Sequence, residues 1–521
     1  MSDPTLSRRE FMKGCCATAA LGAATPAMFY SGAAHAANNY DTIVHVFLRG
    51  GIDGLNLVVP INGEDRIHYE TARPSLTIAA TGAYGALPLT LAGNVASNFG
   101  LHPSATGLRD LWNDGRMAIV HGCGLQTTIT RSHFDAQLYY DLGTPGQQGS
   151  GSGWLTRAWA TQPNVSGLET MPALAVNSRQ PVSLLGATQA LSMSSPNDFA
   201  LNAGPFQWRE NRVHNGGAVT SVGVNSLLQR YLSGRAPVEL DAMRGEASLR
   251  VIGQQPYTGT LPAGWPTSNF ARQLWTVAQS IRFDLGLRYA TVDLGGWDTH
   301  EGQGTAGEGY NYYQNKIAEL SQALSAFYAE LAGGGEASRV TVVVQSEFGR
   351  RIRQNASGGT DHGYGNPLLV LGGPVNGRRF YGTFAGLNPA ILSPYFGDLP
   401  VTTDYRRVLS ELLIRRMGNN RLGTVFPNYA GYAPLGIVQG ADMTPQYGQT
   451  PVDAPQAANL PRHPQPVYGE SLRAAPSASP PPASPAMGER GPVMRTVRSF
   501  NRRALDARLK LYRSLTRTGG V

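Results

Sequence analysis

Five short apolar runs constrain what this chain can become. Residues 42–48, 117–120, 289–294, 340–344 and 367–371 are rich in Val, Ile, Leu and Ala and show little alternation with polar residues. A strand without a polar face has to be covered on both sides, as happens inside a parallel sheet flanked by helices. Helical patterns fill the intervals. One spans 104–113; a second, 268–283, sets Phe270, Leu274, Val277 and Ile281 on one face behind Ser268 as N-cap. A third, 311–331, carries Ile317, Leu320, Leu324 and Phe327 and stops at Gly333-Gly334-Gly335, and a fourth covers 404–417. Alternating strand and helix predicts an α/β fold, a mostly parallel sheet sandwiched by helices, over residues 40–440. The less regular segment 143–250 reads as an insertion or cap.

Charge is distributed unevenly. The 521 residues hold 43 Lys and Arg against 35 Asp and Glu. Nine basic and two acidic residues fall in 489–521, and three basic and two acidic in 1–36, which leaves 31 of each between. A balanced body argues against nucleic acid as partner. Residues 1–36 join Arg8-Arg9 to a moderately apolar stretch and Ala34-His35-Ala36, the pattern of a twin-arginine signal peptide, so a periplasmic or extracellular protein is expected. Cleavage there would leave Cys123 as the one cysteine and no internal disulfide. Residues 441–488 form a Pro/Ala-rich linker, and 489–521 a basic amphipathic tail with Val497, Phe500, Leu505, Leu509 and Tyr512 at helical spacing. Such a tail suits peripheral contact with an anionic membrane surface or a protein partner.

Ligand sites of open α/β sheets lie at the carboxyl ends of strands, where loops converge. There this sequence places Asp53 after Gly50-Gly51, the stretch Arg131-Ser132-His133-Phe134-Asp135, Asp298-Thr299-His300, and Ser346-Glu347-Phe348-Gly349-Arg350; Asp361-His362 comes just before the run at 367. Asp53 would serve equally as a helix cap, and Ser132 with Asp135 fits the S-x-x-D capping pattern. A capping hydroxyl also stands at the positive end of a helix, where an oxyanion is held. Asp298 and His300 put two metal-competent side chains on one face of a strand end. Carboxylate and imidazole donors suit Zn, Mn, Mg or Ca, and no thiolate set is present. Gly302-Gln303-Gly304-Thr305-Ala306-Gly307 matches the dinucleotide pattern only formally, because the W-D-T-H segment separates it from its strand.

The motifs at 47–56 (FLRGGIDGLN), 131–137 (RSHFDAQ), 295–300 (GGWDTH), 342–350 (VVVQSEFGR), 359–363 (GTDHG) and 403–409 (TDYRRVL) together resemble the exported bacterial family catalogued as domain of unknown function 1501. That family looks like a branch of the alkaline phosphatase and sulfatase superfamily. The resemblance implies a hydrolase of phosphate or sulfate esters acting on a small-molecule or glycan ester. It implies one or two divalent ions held by Asp53, Ser132, Asp298, His300, Glu347, Asp361 and His362. It also implies Ser132 as nucleophile, with Arg131 or Arg350 on the non-bridging oxygens. Ser346-Glu347-Phe348-Gly349 stands where the superfamily has S-D-H-G. Either His362 is then the late histidine, or Asp361-His362 is itself the D-H pair; in both cases one ligand is lost. The rival expectation is therefore a non-catalytic exported binding protein with a degenerate site.

Overall fold

The computed structural model describes residues 40–449 apart from 166–168, 178, 188, 196–199, 203–208, 212–247, 249–250 and 253–254. The expected signal (1–36), the linker from 450 onward and the tail lie outside the described residues. Among the described residues no helix is long and apolar enough to cross a membrane.

The main sheet is built from β1 (Thr42–Leu48), β2 (Met117–Gly124), β3 (Ala173–Ala175), β4 (Ala190–Ser192), β5 (Tyr289–Leu294) and β6 (Val340–Ser346). A hairpin follows, β7 (Arg350–Gln354) with β8 (Thr360–His362); β9 (Asn366–Gly372), β10 (Phe380–Gly382) and β11 (Thr403–Asp404) then complete the main sheet. The order across it is β10-β2-β9-β6-β1-β5-β3-β4, with β11 also on β2. β1 lies between β5 and β6 and is parallel to both. β9 alone runs against its neighbours, antiparallel to β6 and β2. The expected mostly parallel α/β sheet is present, with this one reversal inside it.

The lack of alternation in the strands has its explanation in the two layers of helix. On one face α2 (Thr106–Asn113), α5 (Asn269–Arg282) and α6 (Tyr312–Gly334) pack on Val44, Val46 and Leu48. On the other, α3 (His133–Leu142), α4 (Trp154–Ala160) and α7 (Tyr405–Arg415) pack on Ile43 and Phe47. Successive residues of β1 thus feed opposite cores, and both demand apolar side chains. A further helix, α1 (Gly63–Ala72), contributes Tyr69 to a third, smaller core. Ser268 caps α5 as expected, its side chain accepting from the Ala271 N–H at 3.1 Å.

Two described parts of 143–250 belong to the main domain and not to a cap over it. α4 belongs to the core, with Trp154 fully buried, and β3 and β4 extend the main sheet beyond β5. Strands of three residues built on Ala and Leu carry too short a pattern to register as apolar runs.

Three further histidines, His45, His102 and His121, are buried. Burial pushes His45 down to about 3 and His102 and His121 to about 4. Each folded-state value lies below that of the unfolded chain, so the unfolded state alone takes up these protons as pH falls from about 6.5 towards 4, and stability drops across that window. Asp141, pushed up to about 6 by burial, works in the opposite sense and offsets one proton. Over these four groups the balance favours unfolding by roughly 2–3 kcal/mol per pH unit near pH 5, and the Asp41 and Asp398 carboxyls, also raised by burial, reduce it. The thermal midpoint, followed by calorimetry, should fall steadily between pH 6.5 and 4.5; a flat or rising midpoint would refute the assignment of neutral buried imidazoles.

Candidate metal centre

Four loops bring polar side chains to one edge of the sheet. Gly50 and Gly51 end β1 with φ of +124° and +67°. A Cβ on Gly50 would stand 2.5 Å from the Asp298 backbone nitrogen, and one on Gly51 2.5 Å from the Phe348 ring. Only glycine lets the loop after β5 and the loop after β6 close in on this turn. The β5 loop is anchored by Trp297, fully buried and edge-on to Tyr313, and it presents Asp298 and His300. The β7–β8 hairpin presents Asp361 and His362, and is tied to the β5 loop by the Thr360 N–H donating to the Thr299 carbonyl at 3.0 Å. His133 opens α3 directly after its N-cap Ser132.

The donors converge on one oxygen. Nε2 of His133, His300 and His362 lie 3.3, 3.1 and 3.2 Å from Asp298 Oδ1. The Nε2 atoms of His300 and His362 are 2.8 Å apart. Behind each ring, Nδ1 meets an acceptor: Glu347 Oε1 at 2.8 Å for His133, Asp361 Oδ1 at 3.1 Å for His300, and the Arg131 carbonyl at 2.7 Å for His362. A carbonyl only accepts, so His362 carries its proton on Nδ1 and turns a bare Nε2 inward; the carboxylates set the other two rings the same way. Bare nitrogens and a carboxylate oxygen at these distances repel unless a cation lies among them. Among the described residues His133, Asp298 and His362 form a group able to hold a metal ion, and His300 adjoins it. A tetrahedral ion about 2.0–2.1 Å from its donors spaces them roughly 3.3–3.4 Å apart, close to the spacing that the three nitrogens keep from Asp298 Oδ1, while His300 and His362 approach each other more closely, at 2.8 Å. His133 Nε2 is buried without a hydrogen-bond partner, an orphan that an ion would satisfy.

The electrostatics favour the ligand forms of Asp298 and His362. Burial raises the Asp298 carboxyl, but the hydrogen bond and charge of Arg350, with His362 and His133, outweigh it and hold it at about 2. Burial pushes His362 down, keeping it neutral. For His133 burial is outweighed by the Glu347 hydrogen bond and charge, which push it up, so an ion binding here displaces a proton. Phe348 is buried with its ring 4.8 Å from both the His133 and His362 rings, an apolar floor that fixes their planes. The side chains of Asp298 and His300 are 48% and 43% exposed, so the centre opens to solvent.

The expected ligands separate into groups. Asp298, His300 and His362 come together. Asp361 and Glu347 stand one shell back, each bonded to a histidine; Glu347 also accepts from the Gly50 N–H at 2.8 Å and from Gln137 at 2.7 Å, leaving it turned away from the centre. Asp53 does not join. Its oxygens accept from Arg73 at 2.5 and 2.9 Å and from Gln303 at 2.6 Å, all fully buried. Ser132 caps α3, its Oγ accepting from the Asp135 N–H at 3.3 Å, the contact that the capping pattern predicts. Arg350 cannot reach a substrate: it is buried and donates to the carbonyls of Gly50, Gly51, Trp297 and Thr360 and to Asp298. Arg131 is part-exposed and paired with buried Asp398.

His133 was not among the expected ligands. Its signal was present, a histidine at the first position of a capped helix after a strand end, but the neighbouring hydroxyl fitted the expected nucleophile and drew the reading to itself. Arg73 and Gln303, which occupy Asp53, have no local signature.

Asp53→Asn should lower stability by about 3–5 kcal/mol, because it leaves the Arg73 charge buried and unpaired, while bound ion per chain stays unchanged. Replacing both partners (Asp53→Leu with Arg73→Met) should recover much of that loss. Denaturant unfolding with elemental analysis measures both; loss of the ion at unchanged stability would make Asp53 a ligand instead.

The crystal structure of the lipoteichoic acid synthase LtaP from Listeria monocytogenes aligns with 10% identity and a TM-score of 0.25, over 65% of this chain and 66%, just under two thirds, of that one. That likeness is too slight to carry an argument about this chain. No curated protein matches the sequence. Residues 40–394, more than half of the chain, match the family described as "Protein of unknown function (DUF1501)", and the protein belongs to that family.

Proposed function

We propose that the protein is an exported hydrolase of phosphate or sulfate esters that works with a single divalent transition-metal ion. The convergence of three imidazole Nε2 atoms on Asp298 Oδ1 carries this reading. Three nitrogens and one oxygen favour Zn or Mn over Mg and Ca, which prefer oxygen shells. One ion fits better than two, because the oxygens of Asp53 and Glu347 are already taken by protein donors. The ion would supply Lewis-acid polarisation of the ester oxygen.

The chain's own groups do the rest. Glu347, Asp361 and the Arg131 carbonyl hold the rings in the binding tautomer. Arg350 keeps Asp298 ionised. Ser132 stands next to His133 at the N-terminus of α3, where the helix field favours the anionic form of its hydroxyl, and its Oγ takes the role of nucleophile. The 3.3 Å capping bond is long enough to be exchanged for the ester. That same bond favours a second reading, an exported binding protein in which Ser132 serves the helix alone.

Zn- or Mn-loaded protein should hold one ion per chain and hydrolyse p-nitrophenyl phosphate or p-nitrophenyl sulfate. His133→Ala and Asp298→Ala should lose the ion. Ser132→Ala should keep the ion and lose activity by about a hundredfold or more. Ion-loaded wild type that hydrolyses neither ester would establish the binding reading.

A further inference from the structure

Phe396 sits where packing alone would not leave a phenylalanine. Its φ is +58°, the left-handed region that costs a bulky residue roughly 1–3 kcal/mol. Its ring is 73% exposed, so no core contact offsets that cost. The backbone is held there by polar bonds: its carbonyl accepts from Arg351 Nη2 at 2.7 Å. Two residues on, buried Asp398 pairs with both Arg351 and Arg131. Strain kept at an exposed aromatic is the kind of outlier from which a functional role is inferred.

Its position says which role. The Arg131 guanidinium lies 4.5 Å from the Tyr364 ring centroid and 5.9 Å from that of Phe396. The carbonyl of the same Arg131 accepts from Nδ1 of His362 at 2.7 Å. Phe396 is thus linked to the centre through Arg131, whose guanidinium faces the Phe396 ring and whose carbonyl meets the His362 imidazole. A second aromatic, Phe134, follows His133 directly and is 89% exposed. Around the centre Asp298, Glu347, Asp361 and Asp398 are set against Arg131, Arg350 and Arg351, one negative charge in excess, which a divalent ion turns into one positive charge. An anionic group is thus drawn to the ion.

We propose that Phe396 determines specificity. It stacks against a ring with an apolar face, aryl or pyranose, on the organic side of an anionic ester whose charged end lies at the ion. This rests on the hydrolase reading above.

The test is calorimetric titration of ion-loaded, full-length protein with methylphosphonate, phenylphosphonate and a pyranosyl phosphonate. A ring contact of this kind corresponds to about fivefold to tenfold in affinity. At least one ring-bearing probe should bind tighter than methylphosphonate by that factor, and which one does so identifies the ring. Phe396→Trp should keep the preference. Phe396→Asn, which suits the left-handed backbone and so preserves the fold, should abolish it. Equal affinity for all three probes in a protein that holds the ion and hydrolyses esters would overturn the role of Phe396 and leave the hydrolase reading standing. A preference that survives in Phe396→Asn would also overturn it. Failure to hold the ion at all would remove the hydrolase reading and this inference with it.

Discussion

The buried guanidinium of Arg350 holds the site together. It donates to the Gly50 and Gly51 carbonyls at the end of β1, to Trp297 and Asp298 on the loop after β5, and to Thr360 on the hairpin. Three segments distant in sequence are thereby fixed to one planar group, and the carboxylate at the middle of the centre is fixed with them. The same group holds Asp298 at about 2, against burial that would raise it, so the ligand is an anion at any physiological pH. An arginine in this role cannot also clamp a substrate. Arg131 is part-exposed on its aromatic support and, like Arg351, paired with Asp398.

The reversal of β9 explains how the histidines meet. In the parallel strands the chain leaves the sheet at the edge where Asp53, Asp298 and Glu347 appear. β9 enters the sheet at that same edge because it runs the other way, so the hairpin just before it delivers Asp361 and His362 to the residues that follow β5 and β6. An all-parallel sheet would have put that hairpin at the opposite end. One antiparallel strand thus converts a motif that precedes its strand into a neighbour of motifs that follow theirs.

Much of this was legible in the sequence, for identifiable reasons. Runs apolar on both faces mark strands under two layers of helix, and 42–48, 289–294 and 340–344 became adjacent central strands. The strand-end rule collected Asp298 and His300, and His362 entered with Asp361 as a polar pair just before a strand. What escaped depended on distant pairing. Whether Asp53 is free or neutralised is decided by Arg73 and Gln303, which fold alone brings to it. Whether Glu347 faces the ion or supports His133 is decided by the start of α3. Ser132 and His133 are neighbours in the chain, yet the hydroxyl caps the helix and the imidazole points to the centre, a distinction of side-chain direction that composition does not carry. The Ala-based strands β3 and β4 were hidden by brevity.

The central claim is that three imidazoles and one carboxylate surround a single ion. X-ray absorption on zinc-loaded protein measures this directly. The account predicts a first shell of four N/O donors at about 2.0–2.1 Å with the outer-shell scattering of about three imidazole rings, and no metal–metal vector. A shell of oxygen alone, one imidazole, or a second metal within about 4 Å would contradict it.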